Sequence, residues 1–195
     1  MGALTDITDL LVRTLFYFIL LAIVLRFLLQ CVKADFYNPI SQFLVKVTNP
    51  GLKPLRRIIP GFAGIDFSSI VLALLLQLAA TSSLALLHSY SVPNPLSMLI
   101  WGLIGLTGMV INFYFVAILV SIILSWVNPG AYNPITLLLH QLTEPVMAPF
   151  RKLVPAIGGL DISPIFVFIT INILQIVIGH IGASVGLPVN FVIGV

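Results

Sequence analysis

The stretch YNPISQFLVKVTNPGLKPLRRIIP spans residues 37–60, and a related stretch begins 95 positions later at Tyr132. An ungapped alignment of residues 37–72 (the first copy) with residues 132–167 (the second copy) shares 14 of 36 positions. The shared residues of the first copy are Tyr37, Asn38, Pro39, Ile40, Leu44, Thr48, Pro50, Pro54, Arg56, Pro60, Gly64, Asp66, Ser68 and Ile70. Most of them have special backbone or charge behaviour, so the pattern indicates an internal duplication.

The composition points to a membrane protein. Hydrophobic residues make up 59% of the chain, charged residues make up 8%, and the mean hydropathy is +1.16. This leaves too little polar surface for a water-soluble fold of 195 residues. The net charge of +3 is therefore interpreted as a topology signal, and no nucleic-acid partner is indicated.

Four apolar stretches, at residues 10–32, 67–88, 96–127 and 162–183, are long enough to span a bilayer. The third would be about 48 Å long as one helix, against a hydrocarbon core of about 30 Å. We therefore expect it to tilt, kink or break, with Gly102, Gly105 and Gly108 as weak points. Residues 182–188, which overlap the end of the fourth span and continue beyond it, are expected to form a loose end.

The connection between the first two spans, residues 38–60, is predicted to be helical and amphipathic. Asn38 is a good N-cap, and Pro39 suits the first helical position because its missing N–H would have no partner there. Pro50 is expected to end this short helix, and Pro54 is expected to open another that Pro60 stops. The apolar stripe consists of Ile40, Phe43, Leu44 and Val47.

The second copy, within residues 133–155, repeats this pattern. Asn133 and Pro134 start the helix, and Pro145, Pro149 and Pro155 take the places of the later prolines. Its apolar stripe consists of Ile135, Leu138, Leu139 and Leu142. Asp66 and Asp161 occupy equivalent positions, which favours a shared structural role, either helix capping or an ion pair.

The predicted fold is an all-α membrane protein made of two repeats, residues 1–91 and 92–195. Each repeat is a helical hairpin with short amphipathic helices between its two spans, and two crossings per repeat make the repeats parallel. Seven of the nine Lys and Arg residues lie between the spans of a repeat: Lys33, Lys46, Lys53, Arg56, Arg57, Arg151 and Lys152. The positive-inside rule places these segments in the cytoplasm and both termini in the periplasm.

The Asn-Pro helices have two alternative placements. An interfacial position is favoured over a re-entrant one, because burying Lys46 and the arginines in the bilayer core would be costly. The predicted ligands for anionic lipid headgroups are Lys46, Arg56, Arg57, Arg151 and Lys152.

Few polar residues lie within the spans. Arg26 is expected either to pair with Asp66 or Asp161 or to extend to the headgroups. Gln77, Asn112 and Asn172 would make a sparse polar lining. His88, His140 and His180 have no i, i+4 partner or carboxylate spacing for a metal. No nucleophile or phosphate-loop motif occurs, so no enzyme activity, metal or cofactor is predicted.

The doubled series Tyr-Asn-Pro, Thr-x-Pro, Pro-x-Arg-Arg/Lys-x-x-Pro and Gly-x-Asp-x-Ser resembles the YggT family of bacterial inner-membrane proteins, whose plastid and cyanobacterial members are called YlmG. The resemblance implies links to osmotic-stress tolerance and to cell-division operons, and in plastids to nucleoid distribution and cytochrome maturation. The second copy departs from the first, because Glu144 replaces Asn49 and Lys152 replaces Arg57. Bidentate phosphate recognition is therefore expected to be weaker there.

The preferred function is a non-enzymatic membrane scaffold or assembly factor, which binds anionic lipid and a protein partner through its basic cytoplasmic helices. The alternative is a small oligomeric channel or transporter that acts in osmotic stress. The sequence leaves open the partner, a transported ion and whether the chain forms a homo-oligomer.

Overall fold

The computed structural model describes residues 2–62, 64–127, 133–154 and 161–195. Within these ranges the chain forms six α-helices: α1 (Ala3–Cys31), α2 (Pro39–Ile58), α3 (Phe67–Leu87), α4 (Pro95–Val127), α5 (Pro134–Leu153) and α6 (Ser163–Ser184). Four of them, α1, α3, α4 and α6, are long and apolar enough to cross a membrane. The predicted all-helical membrane fold with four spans is thus confirmed at this level, whereas the division into two parallel repeats stays a prediction.

Two spans differ in detail from the prediction. Helix α1 begins at Ala3 rather than at residue 10, and within its early turns Arg13 binds the carboxylate of Asp9 at 2.5 and 3.0 Å. Helix α4 runs unbroken for 33 residues. The expected weak points Gly102, Gly105 and Gly108 lie inside it and are buried, so packing rather than a break explains the glycines.

The expectation of two short helices in each connecting segment is wrong. Helix α2 continues through Pro50 and Pro54 for 20 residues, and α5 continues through Pro145 and Pro149 over the same length. Both prolines of each pair are exposed, and because they are four residues apart they share one side of the helix. The lost backbone hydrogen bonds fall on that side, while the opposite side packs on the protein and holds the helix together. Pro155 lies outside the described residues.

A central apolar core joins five of the helices. Leu20, Ile23 and Val24 of α1 pack with buried residues of α3 and α4, and Leu44 of α2 and Leu138 of α5 complete the cluster. A smaller cluster joins α4, α5 and α6 through Ile118, Met147, Val167 and Ile171. Helix α1 packs mainly on α3, and α4 packs on both α3 and α6. The connecting helices α2 and α5 are therefore part of the packed structure.

The C-terminal residues do not form the expected loose end. After α6, the chain turns at Gly186, whose φ of +65° suits glycine, and then packs against α4. Leu187, Val192 and Ile193 are buried. The reason lies in the glycines of α4, since a Cβ atom at Gly105 would lie only 2.7 Å from the carbonyl oxygen of Ile193. The glycines of α4 thus form a surface of small residues on which the backbone of the C-terminal segment packs. Hydropathy alone does not predict this contact.

Candidate functional site

Two cavities lie where the connecting helices meet the ends of the apolar helices. The first cavity, of about 700 Å³, is lined by Arg26, Gln30, Phe36, Val45, Arg56, Pro60, Gly61 and Asp66. The second cavity, of about 450 Å³, is lined by Ile118, Ser121, Ile122, Ser125, Trp126, His140, Thr143, Met147, Arg151, Asp161 and Pro164. Arg56 and Asp66 of the first cavity correspond in the sequence alignment to Arg151 and Asp161 of the second. The two cavities are thus formed by equivalent parts of the two copies.

An ion pair forms part of the wall of the first cavity. Arg56 lies in the last turn of α2, and Asp66 immediately precedes α3. The Arg56 guanidinium binds the Asp66 carboxylate through Nη2 and, at 3.2 Å, through Nε, while Ser69 Oγ donates to the same carboxylate at 2.8 Å. Burial raises the pKa of Asp66, but the hydrogen bonds from Arg56 and Ser69 and the charges of Arg56 and Arg26 outweigh it, so the pKa is lowered. Of the two roles expected for Asp66, the ion pair is present.

The equivalent pair in the second cavity is more exposed and contains an extra carboxylate. Arg151 Nε donates to Asp161 at 3.0 Å, and its Nη1 donates to Glu144 at 2.6 Å. Asp161 also accepts a hydrogen bond of 2.9 Å from the backbone N–H of Ser163, at the start of α6. Burial raises the pKa of Asp161, but the hydrogen bonds from Ser163 and Arg151 have the larger combined effect, so the pKa is lowered overall. Asp161 is therefore an ion-pair partner that also accepts from the first N–H of α6, although the N-cap residue of that helix is Ile162.

Arg26 is bound by α2. Its residue surface is only 4% exposed, and its Nη1 donates to Thr48 Oγ1 at 2.6 Å, Asn49 Oδ1 at 2.9 Å and the carbonyl oxygen of Val45 at 3.2 Å. Within the described part of the chain it forms no direct ion pair with Asp66 or Asp161. The reason is competition, because Arg56 already occupies the Asp66 carboxylate and three oxygens of α2 lie within reach of Arg26.

The remaining polar residues predicted for the spans do not share one location. Gln77 is fully buried and donates to the carbonyl oxygen of Ile193 at 3.1 Å, and Asn112 donates to that of Gly194 at 3.4 Å. Asn172 is exposed and donates to the carbonyl oxygen of Phe168 in its own helix, at 2.7 Å. Gln77 and Asn112 thus hold the C-terminal residues, and Asn172 lies apart from them.

The predicted headgroup ligands fall into two groups. Arg56 and Arg151 are held in ion pairs, whereas Lys46, Arg57 and Lys152 are exposed, as is Lys53, which sequence reasoning did not select. For the exposed group no ion pair occurs among the described residues. Their assignment to lipid headgroups stays a prediction.

Several contacts that organise the site were missed from the sequence. Thr48 and Asn49 accept hydrogen bonds from Arg26. The sequence offers a signal for Thr48, because the second copy has a threonine, Thr143, at the equivalent position. Asn38 caps α2 as predicted, by accepting from the N–H of Ile40 at 3.0 Å, but its Nδ2 also donates to the carbonyl oxygen of Pro134 at 2.7 Å. This second bond joins the two copies at the start of their helices. No local signal in the sequence announces it.

The prediction that the histidines have no i, i+4 partner is wrong for one of them. His140 does have an i, i+4 partner, because its Nε2 lies 3.7 Å from Glu144 Oε2. His88 Nε2 lies 2.7 Å from Asp9 Oδ1. Among the residues that the structure describes, no group of three His, Cys, Asp or Glu side chains is placed to hold a metal ion.

Comparison of the sequence with known proteins identifies the family of this chain. The family model described as CCB3/YggT matches residues 3–87 and 100–182. An uncharacterized protein of Pseudomonas aeruginosa is 48% identical over 178 residues, covering 90% of each chain. The uncharacterized protein YggT of Escherichia coli K12 is 35% identical over 168 residues, covering 85% of this chain and 86% of its own.

A plastid relative matches a shorter part. The YlmG homolog protein 2, chloroplastic, of Arabidopsis thaliana is 36% identical over 76 residues, which are 36% of this chain and 29% of that protein. No solved structure matches. The match of the family model to most of both halves, together with relatives similar over most of their length, establishes that the chain belongs to the CCB3/YggT family.

Proposed function

We propose that this protein is a non-enzymatic scaffold or assembly factor of the bacterial inner membrane, which holds a basic helix at the anionic cytoplasmic surface for a partner protein. The observation that carries the proposal is the arrangement of side chains around α2. The helix packs on α1 and α3 with one side and leaves two further sides, one apolar and one cationic, uncovered by the described chain.

The three sides of α2 follow from its residue spacing. Leu44, Thr48 and Leu52 are buried against the protein, whereas Phe43, Val47 and Ile58 are 63%, 48% and 78% exposed. At 3.6 residues per turn, these three exposed apolar residues lie on one side of the helix. The exposed cations Lys46, Lys53 and Arg57 form the neighbouring stripe. An apolar side beside a cationic side is the pattern of a helix that lies in the headgroup layer.

The orientation of the helices supports two parallel hairpins. At one end of the first pair, Asp9 of α1 meets His88, directly after α3. At the other end, Arg26 of α1 and Asp66, directly before α3, line the first cavity. In the second pair, Trp101 of α4 donates to the carbonyl oxygen of Val185, after α6, at 3.0 Å. The far ends of α4 and α6 both line the second cavity. We therefore infer that both connecting helices lie on one membrane face, which the cation distribution makes cytoplasmic.

The second copy contributes less charge to the proposed surface. Arg151 is bound by two carboxylates, which leaves Lys152 as the cation of the α5 end that has no ion pair among the described residues. Its exposed apolar residues include Ile135 and Leu153, at 60% and 78% exposure. We therefore assign the main contact with anionic lipid to α2. The link to osmotic-stress tolerance and cell-envelope or division processes follows from the family resemblance.

The channel alternative has less support. A conducting path needs polar side chains that face a common space. Gln77 and Asn112 instead contact the C-terminal residues, and Asn172 bonds to its own helix. Nothing among the described residues favours transport over docking.

The proposed docking can be measured by hydrogen–deuterium exchange of α2 in nanodiscs of phosphatidylglycerol and of phosphatidylcholine. Each cation near an anionic surface contributes about 1 kcal/mol before screening. A Lys46→Gln, Lys53→Gln, Arg57→Gln variant is expected to lose the extra protection of α2 that phosphatidylglycerol provides. The charge-preserving variant Lys46→Arg, Lys53→Arg, Arg57→Lys should keep it. Equal protection in both lipids, or full protection in the glutamine variant, would refute the docking.

A further inference from the structure

The two cavities differ in charge although their positions are equivalent. The first is lined by two arginines and one aspartate, a net charge of +1. In the lining of the second, Ser121 takes the place of Arg26. Glu144, which takes the place of Asn49, lies outside that lining but binds the lining residue Arg151. There one arginine lies between two carboxylates. An anion is therefore favoured in the first cavity and disfavoured in the second.

Arg26 supplies hydrogen-bond donors in the first cavity. All three of its hydrogen bonds come from Nη1, so among the described residues Nη2 and Nε have no partner. Nη2 and Nε are not completely buried, because neither belongs to the fully buried side-chain atoms that lack a partner. Since Arg26 lines the cavity, these two nitrogens reach the space inside it. A guanidinium that is 4% exposed and still has free N–H groups needs a further acceptor.

The geometry points to a binding site for one phosphate group in the first cavity, with Arg26 as its principal donor and Gln30 and Arg56 at its wall. A planar guanidinium binds phosphate oxygens with two parallel hydrogen bonds. The volume of about 700 Å³ lies within the range of small-molecule sites. The phosphate belongs either to a lipid headgroup or to a free anion. The headgroup source rests on the proposed docking of α2, whereas the site itself does not.

The test uses Asn49→Asp, because replacing Arg26 itself can release α2 and unfold the site. An aspartate keeps the oxygen that lies 2.9 Å from Arg26 Nη1 and adds a negative charge that satisfies Arg26 internally. The second copy already carries a carboxylate at this position, as Glu144. The matched control is Gln42→Glu, which adds the same charge on the exposed side of α2, outside the cavity lining.

Binding is measured on the delipidated full chain in neutral detergent, by native mass spectrometry with phosphatidylglycerol and by thermal shift with inorganic phosphate. Loss of a charge-assisted hydrogen bond predicts binding weaker by on the order of 10- to 100-fold in Asn49→Asp, with no change in Gln42→Glu. Stabilisation by inorganic phosphate would assign a free anion, and an effect of the lipid alone would assign a headgroup. Unchanged binding in Asn49→Asp, equal loss in both variants, or no binding of either probe to the wild type would overturn the site.

The two proposals can fail separately. The Lys46→Gln, Lys53→Gln, Arg57→Gln variant should keep its bound phosphate in detergent, because these side chains do not line the cavity. Conversely, α2 of Asn49→Asp should keep its protection in phosphatidylglycerol nanodiscs. Loss of the bound phosphate in the glutamine variant would show that the exposed stripe, and not the cavity, holds it.

Discussion

At the scale of single residues, the same Arg–Asp motif performs two different tasks in the two copies. Asp66 has a side chain that is 4% exposed and shares its carboxylate between Arg56 and Ser69. Asp161 has a side chain that is 43% exposed, and its partner Arg151 also binds Glu144. Burial makes the first pair a structural link between α2 and α3, because an unpaired polar group costs more inside the protein than at the surface.

Asp66→Asn is expected to lower the stability of the detergent-solubilised protein by about 1–3 kcal/mol, because it leaves Arg56 without its carboxylate. Asp161→Asn should cost about 0–1 kcal/mol, since that pair is exposed. Thermal unfolding followed by circular dichroism measures both. Equal effects of the two substitutions would show that burial does not distinguish the pairs.

The same residue predicts a dependence on pH. The folded-state pKa of Asp66 is lowered relative to an unfolded value of about 3.9. Its stabilising contribution is therefore complete above that value and is lost as the pH falls through the folded-state pKa. The difference in stability between the wild type and Asp66→Asn should shrink in that acidic range and stay constant between pH values of about 5 and 7.

At the scale of elements, α2 and α5 start with the same cap but serve different surroundings. Asn38 is 4% exposed and bonds both to its own helix and to Pro134 of α5. Asn133 is exposed and forms a capping box with Thr136. One cap is thus part of a contact between the helices, and the other acts on its own helix.

Asn38→Ala should therefore destabilise the protein by about 1–3 kcal/mol, the sum of a lost cap and a lost, partly buried hydrogen bond. Asn133→Ala should cost about 1 kcal/mol. Asn38→Ser separates the two terms, because serine restores the cap without reaching Pro134 as the amide does. A serine variant as stable as the wild type would show that the bond to Pro134 contributes nothing.

At the scale of the whole molecule, the C-terminal residues pack against the middle of α4. Gln77 holds the carbonyl of Ile193, and Gly105 and Gly108 leave room for the backbone of residues 193 and 194. The contact connects the chain end to α3 and α4 at once. It closes a surface of small residues that would otherwise be open to lipid or to another helix.

Gly108→Ala is expected to displace the C-terminal residues, because its Cβ would collide with the carbonyl oxygen of Gly194. Gly179→Ala is the control, since the same change in α6 meets no atom within 4 Å. A cysteine replacing the buried Val192, in a variant lacking Cys31, reports the displacement through its reactivity with a maleimide. Reactivity should rise in Gly108→Ala alone. An unreactive cysteine in that variant would show that the segment stays bound.

The sequence by itself determined the features that depend on local composition and charge. Four spans follow from hydropathy, the starts of α2 and α5 follow from Asn38-Pro39 and Asn133-Pro134, and the equivalence of Asp66 and Asp161 follows from the repeated spacing. Each of these depends on residues close together in the chain, whose preferences act before any tertiary contact forms.

Only the tertiary structure decided the features that depend on distant partners. Pro50 would end an isolated helix, but packing of the opposite side keeps α2 continuous. The sequence allowed Arg26 either to pair with an aspartate or to extend to the headgroups. The structure instead places Thr48 and Asn49 beside it, and Arg26 donates to both. The C-terminal residues looked unstructured because their partners, Gln77 and Gly105, lie far away in sequence. Such contacts arise from the folded arrangement of whole helices, which local propensity does not encode.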